Sequence, residues 1–261
     1  MRQATLSYLI RTQYLGFRYS GWQIQPGQRT VEGMLSKTLK FILPGEPFKI
    51  LAAGRTDAKV SALDMAFELF LDAALENMPN FLELFNLNLP PDIRVLSIAP
   101  ISQKLNIIKD AKTKEYVYLF SYGEKNHPFC APFLAHIHGN LDISVMKEAA
   151  RLFEGIHNFS AYTVKDRGKT QTTRSITSCM LKRNTLLSAN FFPKKSYALH
   201  VEGAGFMRYQ VRMMMGALIQ LGKAELTLSD IEASLQEQPN IQLTYIAPGS
   251  GLVLNRSEFS I

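Results

Sequence analysis

The chain has 261 residues, 46% of them hydrophobic and 20% charged. It is long enough for one large domain or two small ones with a proper core, and too apolar for a disordered chain. Its 29 basic against 22 acidic side chains leave a net charge of +7, which points weakly to a polyanionic partner, and no apolar run approaches the ~18–20 residues of a membrane helix.

The first residues, Met1-Arg2-Gln3-Ala4-Thr5, lead directly into alternation rather than into an apolar signal-peptide core. Cys130 and Cys179 form no C-x-x-C pair, so a reducing cytoplasm is the expected compartment. Residues 4–14 alternate, with Leu6, Tyr8 and Ile10 on one face, and predict a strand. The segment 15–29 is rich in Gly and Gln, carries the only tryptophan (Trp22), and reads as a loop. Thr30 caps a predicted helix to about Leu43, with Val31, Leu35, Leu39 and Ile42 as its apolar stripe. Strand signals at 48–53 and 63–71 are split by Gly54-Arg55-Thr56-Asp57-Ala58-Lys59. A helix is expected at about 79–87, ended by Pro90-Pro91, and a strand at 94–100.

In the second half, 113–122 alternate with Tyr116, Tyr118 and Phe120 on one face. Asp142 caps a predicted helix with the stripe Ile143, Met146, Ala149, Ala150 and Phe153. Strand-like runs fall near 174–183, 185–192 and 196–202, the first two as a hairpin. A helix over 207–221 carries Val211, Met214, Met215 and Leu218, and 251–258 closes the chain as a strand. Irregular alternation with hairpin-like neighbours favours an α+β fold with mainly antiparallel sheet over a doubly wound parallel one. The polar stretch 102–112 marks the expected boundary between an N-terminal α+β domain, 1–105, and a C-terminal one, 106–261.

Several chemistries lack their motifs. There is no P-loop, and Gly203-Ala204-Gly205-Phe206-Met207-Arg208 lacks the third glycine of a dinucleotide fingerprint. It reads as a glycine turn opening the 207–221 helix, with or without an anion at the helix amides. His136 and His138 have no Cys or Glu cluster beside them and read as loop histidines rather than metal ligands. No G-x-S-x-G elbow supports a serine nucleophile. Asp57, flanked by Gly54, Arg55 and Thr56 between two apolar segments, is either a nucleophilic carboxylate or a turn residue accepting backbone N–H bonds. Arg208 and Arg212 fall i,i+4 on the predicted helix. Arg212, among Val211 and Met213-Met214-Met215, is either a partly buried partner for a carboxylate such as Asp57 or a snorkelling side chain. Tyr116 and Tyr118 are core aromatics or base-stacking residues. Lys165-Asp166-Arg167-Gly168-Lys169 and Arg174 form a basic loop.

The segments in order resemble the TruA family of tRNA pseudouridine synthases over nearly the whole length. Tyr14-Leu15-Gly16-Phe17-Arg18-Tyr19-Ser20-Gly21-Trp22-Gln23-Ile24-Gln25 is similar to that family's opening Y-x-G-x-x-(Y/F)-x-G-(W/F)-Q-x-Q. Gly54-Arg55-Thr56-Asp57-Ala58 resembles its G-R-T-D loop, and Lys114-Glu115-Tyr116-Val117-Tyr118 its (R/K)-x-Y-x-Y strand. His157-Asn158-Phe159-Ser160-Ala161 resembles H-(D/N)-F-(S/T)-(S/A). Gly205-Phe206-Met207-Arg208-Tyr209-Gln210-Val211-Arg212 resembles G-F-L-x-x-M-V-R, and Ala247-Pro248-Gly249-Ser250-Gly251-Leu252 resembles A-P-x-x-G-L. There are departures. Lys59 stands where the family usually has glycine, Ser61 where it often has histidine, and Met213 where asparagine often follows the arginine. Ile108 replaces an expected arginine, which puts one RNA contact in doubt or shifts it to Lys109.

The resemblance implies the pseudouridine synthase fold, two mixed α/β-sandwich-like domains with an active-site cleft between them, and a homodimer acting on tRNA with no cofactor. It implies Asp57 as nucleophile, Arg212 as the partner keeping it ionised, Tyr116 stacking on the target base, and Arg55 filling the space of the flipped nucleotide. Arg208 joins Tyr116 and Arg55 as a substrate-binding residue. The implied reaction is isomerisation of uridine at tRNA positions 38–40. Two competitors stand beside it. One is an inactive RNA-binding protein of the same fold. The other is a glycosidase using Asp57 with Asp64 or Glu68, which the even spacing of those two on a solvated strand edge disfavours.

Overall fold

A computed structural model describes residues 6–101, 105–108, 110–164, 171–239, 241 and 243–259. In chain order the elements are β1 (Leu6–Tyr14), α1 (Val31–Ile42), β2 (Phe48–Ala52), β3 (Ser61–Leu71), α2 (Met78–Asn88), β4 (Ile93–Pro100), β5 (Ala111–Gly123), β6 (Ala135–His138), α3 (Ile143–Leu152), β7 (Gly155–Asn158), β8 (Thr173–Arg183), β9 (Tyr197–Gly203), α4 (Gln210–Gly222), α5 (Leu228–Ser234) and β10 (Leu252–Phe259). The chain forms two compact units, Met1–Lys112 with Leu254–Ile261, and Thr113–Val253. The change of unit falls between Lys112 and Thr113, within β5 and at the end of the polar stretch 102–112. The end of the closing strand, from Leu254, belongs to the first unit, where β10 is hydrogen-bonded to β3.

In the first unit the strand order is β4-β1-β3-β10, with β2 also on β3. β1 runs antiparallel to both neighbours, with Ile10 opposite Phe67 on β3 and Tyr14 opposite Ile93 on β4. Thr30 caps α1 as its position predicts, its hydroxyl accepting from the Gly33 amide at 3.2 Å. Val31, Leu35 and Leu39 are completely buried. Each such side chain contributes about 1.5–3 kcal/mol through apolar burial. Asn77 caps α2 and a proline sits in its first turn, which places Phe81 and Phe85 inward.

In the second unit the order is β5-β9-β8-β7, with β6 parallel to β5 and the other ladders antiparallel. The Asp142 carboxylate accepts from the Ser144 and Val145 amides and starts α3, whose Met146, Ala149 and Ala150 are buried. α4 is apolar around most of its circumference and buried to match, a core helix rather than a surface one. Gly216 on α4 is required sterically, since a Cβ there would lie 2.1 Å from the Tyr245 carbonyl oxygen.

The α+β architecture with mainly antiparallel sheet is as expected, and several details differ. Residues 185–192 form no strand. The Asn184 side chain accepts from the Leu186 and Leu187 amides and turns the chain, so β8 pairs with β9 instead. The fourth helix begins at Gln210 rather than 207, because Tyr209 takes a left-handed backbone, φ 64°, that ends any helical run through it. His136 and His138 lie on β6, not in a loop. Asp64 and Glu68 are not on a solvated edge: β3 has neighbours on both sides, Asp64 Oδ2 takes a 2.6 Å bond from Arg11, and Glu68 is only 5% exposed. Among the described residues no helix is long and apolar enough to cross a membrane. The stretch 165–169 and Lys109 fall outside the described residues.

Candidate active site

Asp57 and Arg55 share one loop of the first unit, between β2 and β3. Asp57 is half-buried and Arg55 exposed. The loop is held by the glycine-rich segment that follows β1. The Trp22 amide donates to the Thr56 carbonyl at 3.0 Å, and the Lys59 amide to the Tyr19 carbonyl at 3.0 Å. The Tyr14 and Thr56 hydroxyls meet at 2.8 Å in the buried interior. The Gly16 amide donates to Ser61 Oγ at 2.9 Å, so the serine at that position closes the base of the loop.

Two glycines permit this closeness. A Cβ on Gly16 would sit 1.8 Å from the Val60 carbonyl oxygen. Gly21 has φ +98°, and a Cβ there would lie 2.7 Å from the Thr56 carbonyl oxygen. Trp22 is 1% exposed and packs its ring against Tyr14 and Phe67 at 6.0 and 5.8 Å. The same segment is tied to the start of α1, with the Val31 amide donating to the Gly21 carbonyl and the Glu32 amide to the Trp22 carbonyl. The carboxylate therefore stands on a loop whose backbone is fixed immediately before and after it. A nucleophile needs that kind of positioning.

Lys59 explains why glycine suits its position. Its φ is 66°, a left-handed conformation that costs a side-chain-bearing residue roughly 1–2 kcal/mol. The Lys59 ammonium lies 5.7 Å from the Phe17 ring centroid, a compensating contact.

Tyr116, Arg208 and Arg212 belong to the second unit. Tyr116 is half-buried on β5, opposite Val201 of β9, with the Phe206 ring edge-on at 5.2 Å and 86°. A ring braced in this way is a platform on which a base can stack. Two residues along, Tyr118 is fully buried and donates to the Pro248 carbonyl at 2.9 Å. Burial pushes its hydroxyl pKa well above the usual value, so it stays protonated and structural. Thus of the two tyrosines only Tyr116 has the partial exposure a substrate-facing ring requires. On the same strand, burial lowers the pKa of Lys114.

Arg212 is half-buried in the first turn of α4. Its Nε donates to the Ala247 carbonyl at 2.7 Å, while the Ala247 amide donates to the Arg212 carbonyl at 3.1 Å. This reciprocal pair joins the start of α4 to the Ala247-Pro248 segment and fixes the guanidinium. Arg208 lies before the helix rather than on it. Instead of an i,i+4 face, the two arginines approach one ring, with Arg208 and Arg212 at 4.8 and 5.2 Å from the Tyr209 centroid. Met213, following Arg212, is buried, and Ile108 is exposed. Among the described residues no cluster of His, Cys, Asp or Glu could hold a metal ion.

Sequence reasoning assigned no role to Tyr14, Phe206 or Tyr209. The tyrosine-glycine-tryptophan spacing was a visible signal for the first. The other two depend on contacts across the fold.

A family model described as tRNA pseudouridine synthase matches residues 149–260. The tRNA pseudouridine synthase A of Thermodesulfovibrio yellowstonii is 30% identical over 252 residues, spanning 94% of this chain and 96% of the relative. That of Pseudothermotoga lettingae is 31% identical over 257 residues, spanning 97% and 99%. A protein named tRNA pseudouridine synthase A 2, from Desulfotalea psychrophila, is 30% identical over 263 residues, spanning 96% and 98%. Fold, loop and relatives agree on an isomerase of the tRNA-modifying class. The chain belongs to the tRNA pseudouridine synthase A family, TruA.

Proposed function

We propose that this chain isomerises uridine to pseudouridine at positions 38–40 in the anticodon arm of tRNA, working in the cytoplasm as a homodimer without a cofactor. The bond from C1′ to N1 of uracil breaks and one from C1′ to C5 forms. N1 gains a proton and C5 loses one, so atoms and electrons balance with no redox step. Asp57 is the nucleophile. Arg212 pairs with it and keeps it ionised. Tyr116 stacks on the base and assists removal of the C5 proton. Arg55, exposed beside Asp57, fills the space of the flipped nucleotide, and Arg208 holds substrate phosphate.

The observation that carries this reading is the clamped 54–59 loop. Gly16, Gly21 and Trp22 of the opening motif are spent on holding the backbone on either side of Asp57. Such precision at a half-buried carboxylate suits covalent chemistry better than passive RNA binding. The glycosidase alternative needs a second carboxylate at a defined separation, and the two it named are engaged, Asp64 with Arg11 and Glu68 within the sheet. Incubating the protein with unmodified tRNA and mapping pseudouridine by chemical sequencing tests the proposal. Product at positions 38–40 is expected, and its absence with an intact, tRNA-binding protein would refute it.

A further inference from the structure

We propose that a groove on the second unit, between α3 and the end of β8, is a phosphodiester-binding site gripping the tRNA backbone. This rests on the reading that tRNA is the substrate. The groove has a volume of about 300 Å³ and is lined by Lys147, Arg151, Met180, Leu181, Lys182 and Arg183. Four of these six residues are cations, and no carboxylate lines it. None of the six is among the residues assigned to the reaction.

Lys147 and Arg151 are i,i+4 on α3 and therefore share a face. Lys182 and Arg183 end β8, and all four charged side chains are exposed. Buried Leu181 and half-buried Met180 supply an apolar floor. Arg183 is steadied by the Tyr197 ring, 5.5 Å from its guanidinium carbon. The ion pairs Arg11–Asp64, Arg18–Asp92, Arg29–Asp92 and Arg256–Glu258 involve none of the four groove cations. Four like charges gathered around one groove repel each other until an anion sits among them.

The anion class is phosphate, from an RNA backbone or from a free ion. The groove favours the backbone. Its charges are carried by long exposed side chains over an apolar floor, an adaptable surface for successive phosphodiesters rather than a closed cage for one ion.

The test compares tRNA binding and pseudouridine formation for wild type, Arg151→Gln/Lys182→Gln, and a charge-matched control, Lys37→Gln/Lys40→Gln, on the exposed face of α1. The groove variant is expected to bind about tenfold more weakly at moderate salt, with the log–log salt slope smaller by about two. Its product formation at saturating tRNA should be unchanged, and the control should match wild type in every respect. Wild-type affinity and slope in the groove variant would overturn the proposal, and so would equal weakening by both variants, which would reduce the effect to net charge. Inorganic phosphate broadened in its NMR spectrum by wild type but not by the groove variant, with tRNA affinity unaltered, would overturn the backbone assignment in favour of a free-ion site. A wild type that binds tRNA but forms no pseudouridine refutes the enzymatic reading and leaves the groove result standing.

Discussion

The hydroxyls of Tyr14, at the end of β1, and Thr56, one residue before Asp57, lie 2.8 Å apart with both side chains buried. This bond links the first strand to the loop that carries the proposed nucleophile. Removing one partner leaves the other buried hydroxyl unsatisfied. Tyr14→Phe is therefore expected to cost about 1–2 kcal/mol of stability by denaturant midpoint. Because the loosened residue adjoins Asp57, kcat should fall about tenfold with KM nearly unchanged, the pattern of an interaction needed in the transition state. Lost stability with unaltered kcat would make the bond purely structural.

Lys59 occupies a left-handed backbone position, φ 66°. Glycine adopts that conformation freely but gains entropy in the unfolded chain and gives up the contact with Phe17. Lys59→Gly is expected to leave stability unchanged or raise it by up to about 1 kcal/mol, whereas a β-branched Lys59→Val should lower it by more than that. Thermal unfolding of the two variants checks the order. A glycine variant markedly less stable than the valine one would contradict the strain argument.

Glu68 gives a pH prediction. Burial raises its carboxyl pKa above the ordinary 4.5, with the Ser7 hydrogen bond and the Lys49 charge opposing the shift. The folded state thus holds this proton to higher pH than the unfolded state. As pH rises from about 4.5 through the folded value, the native state binds more protons than the unfolded one, so stability falls across that window and then levels off. Glu68→Gln carries no titrating group. Its stability relative to wild type should grow over the same window and stay higher at pH 7. Equal pH–stability curves for the two proteins would show that Glu68 ionises freely.

Much of this fold was readable because local signals and tertiary packing agreed. The Thr30 and Asp142 caps and the stripes of α1 and α3 meet buried faces, whereas the alternation read in β1 and β5 is only partly matched: Leu6 is exposed, Leu9 is buried beside Tyr8 and Ile10, and β5 is buried on both faces over 117–121. The four-residue strands β6 and β7 are too short for periodicity to register. α5 is short too, yet Thr227 and Asp230 form a capping box that was open to reading. Residues 185–192 misled because Leu186, Leu187, Phe191 and Phe192 look like strand residues, while the deciding contact is a side-chain turn at Asn184. The proposed roles of Asp57, Arg55, Tyr116 and Arg212 rest on motifs visible in the sequence. The bond from Arg212 to Ala247, 35 residues away, and the approach of both Arg208 and Arg212 to the Tyr209 ring arise only from the folded backbone.

The proposed pairing of Arg212 with Asp57 predicts a change in titration. Arg212→Met keeps an apolar stem and removes the charge, so the carboxylate protonates more readily. Single-turnover rates should fall, and the acid limb of the pH–rate profile should move to higher pH, because the nucleophile must be ionised. Arg212→Lys should be intermediate, keeping the charge but losing the fork that bonds Ala247. An arginine that only holds a phosphate would weaken binding and leave the acid limb in place at saturating tRNA. An unmoved limb in Arg212→Met rules out the pairing.

The central claim is that Asp57 attacks the target nucleotide. Asn preserves the size and planarity of the side chain on a backbone already fixed by Trp22 and Tyr19, but it cannot serve as an anionic nucleophile. The decisive measurement is single-turnover pseudouridine formation by purified Asp57→Asn with unmodified tRNA in excess of its dissociation constant, beside wild type. The expected result is wild-type folding and tRNA affinity with no detectable product. Pseudouridine formed by the variant at a rate within about a hundredfold of wild type, ~2.7 kcal/mol in barrier height, would contradict the account.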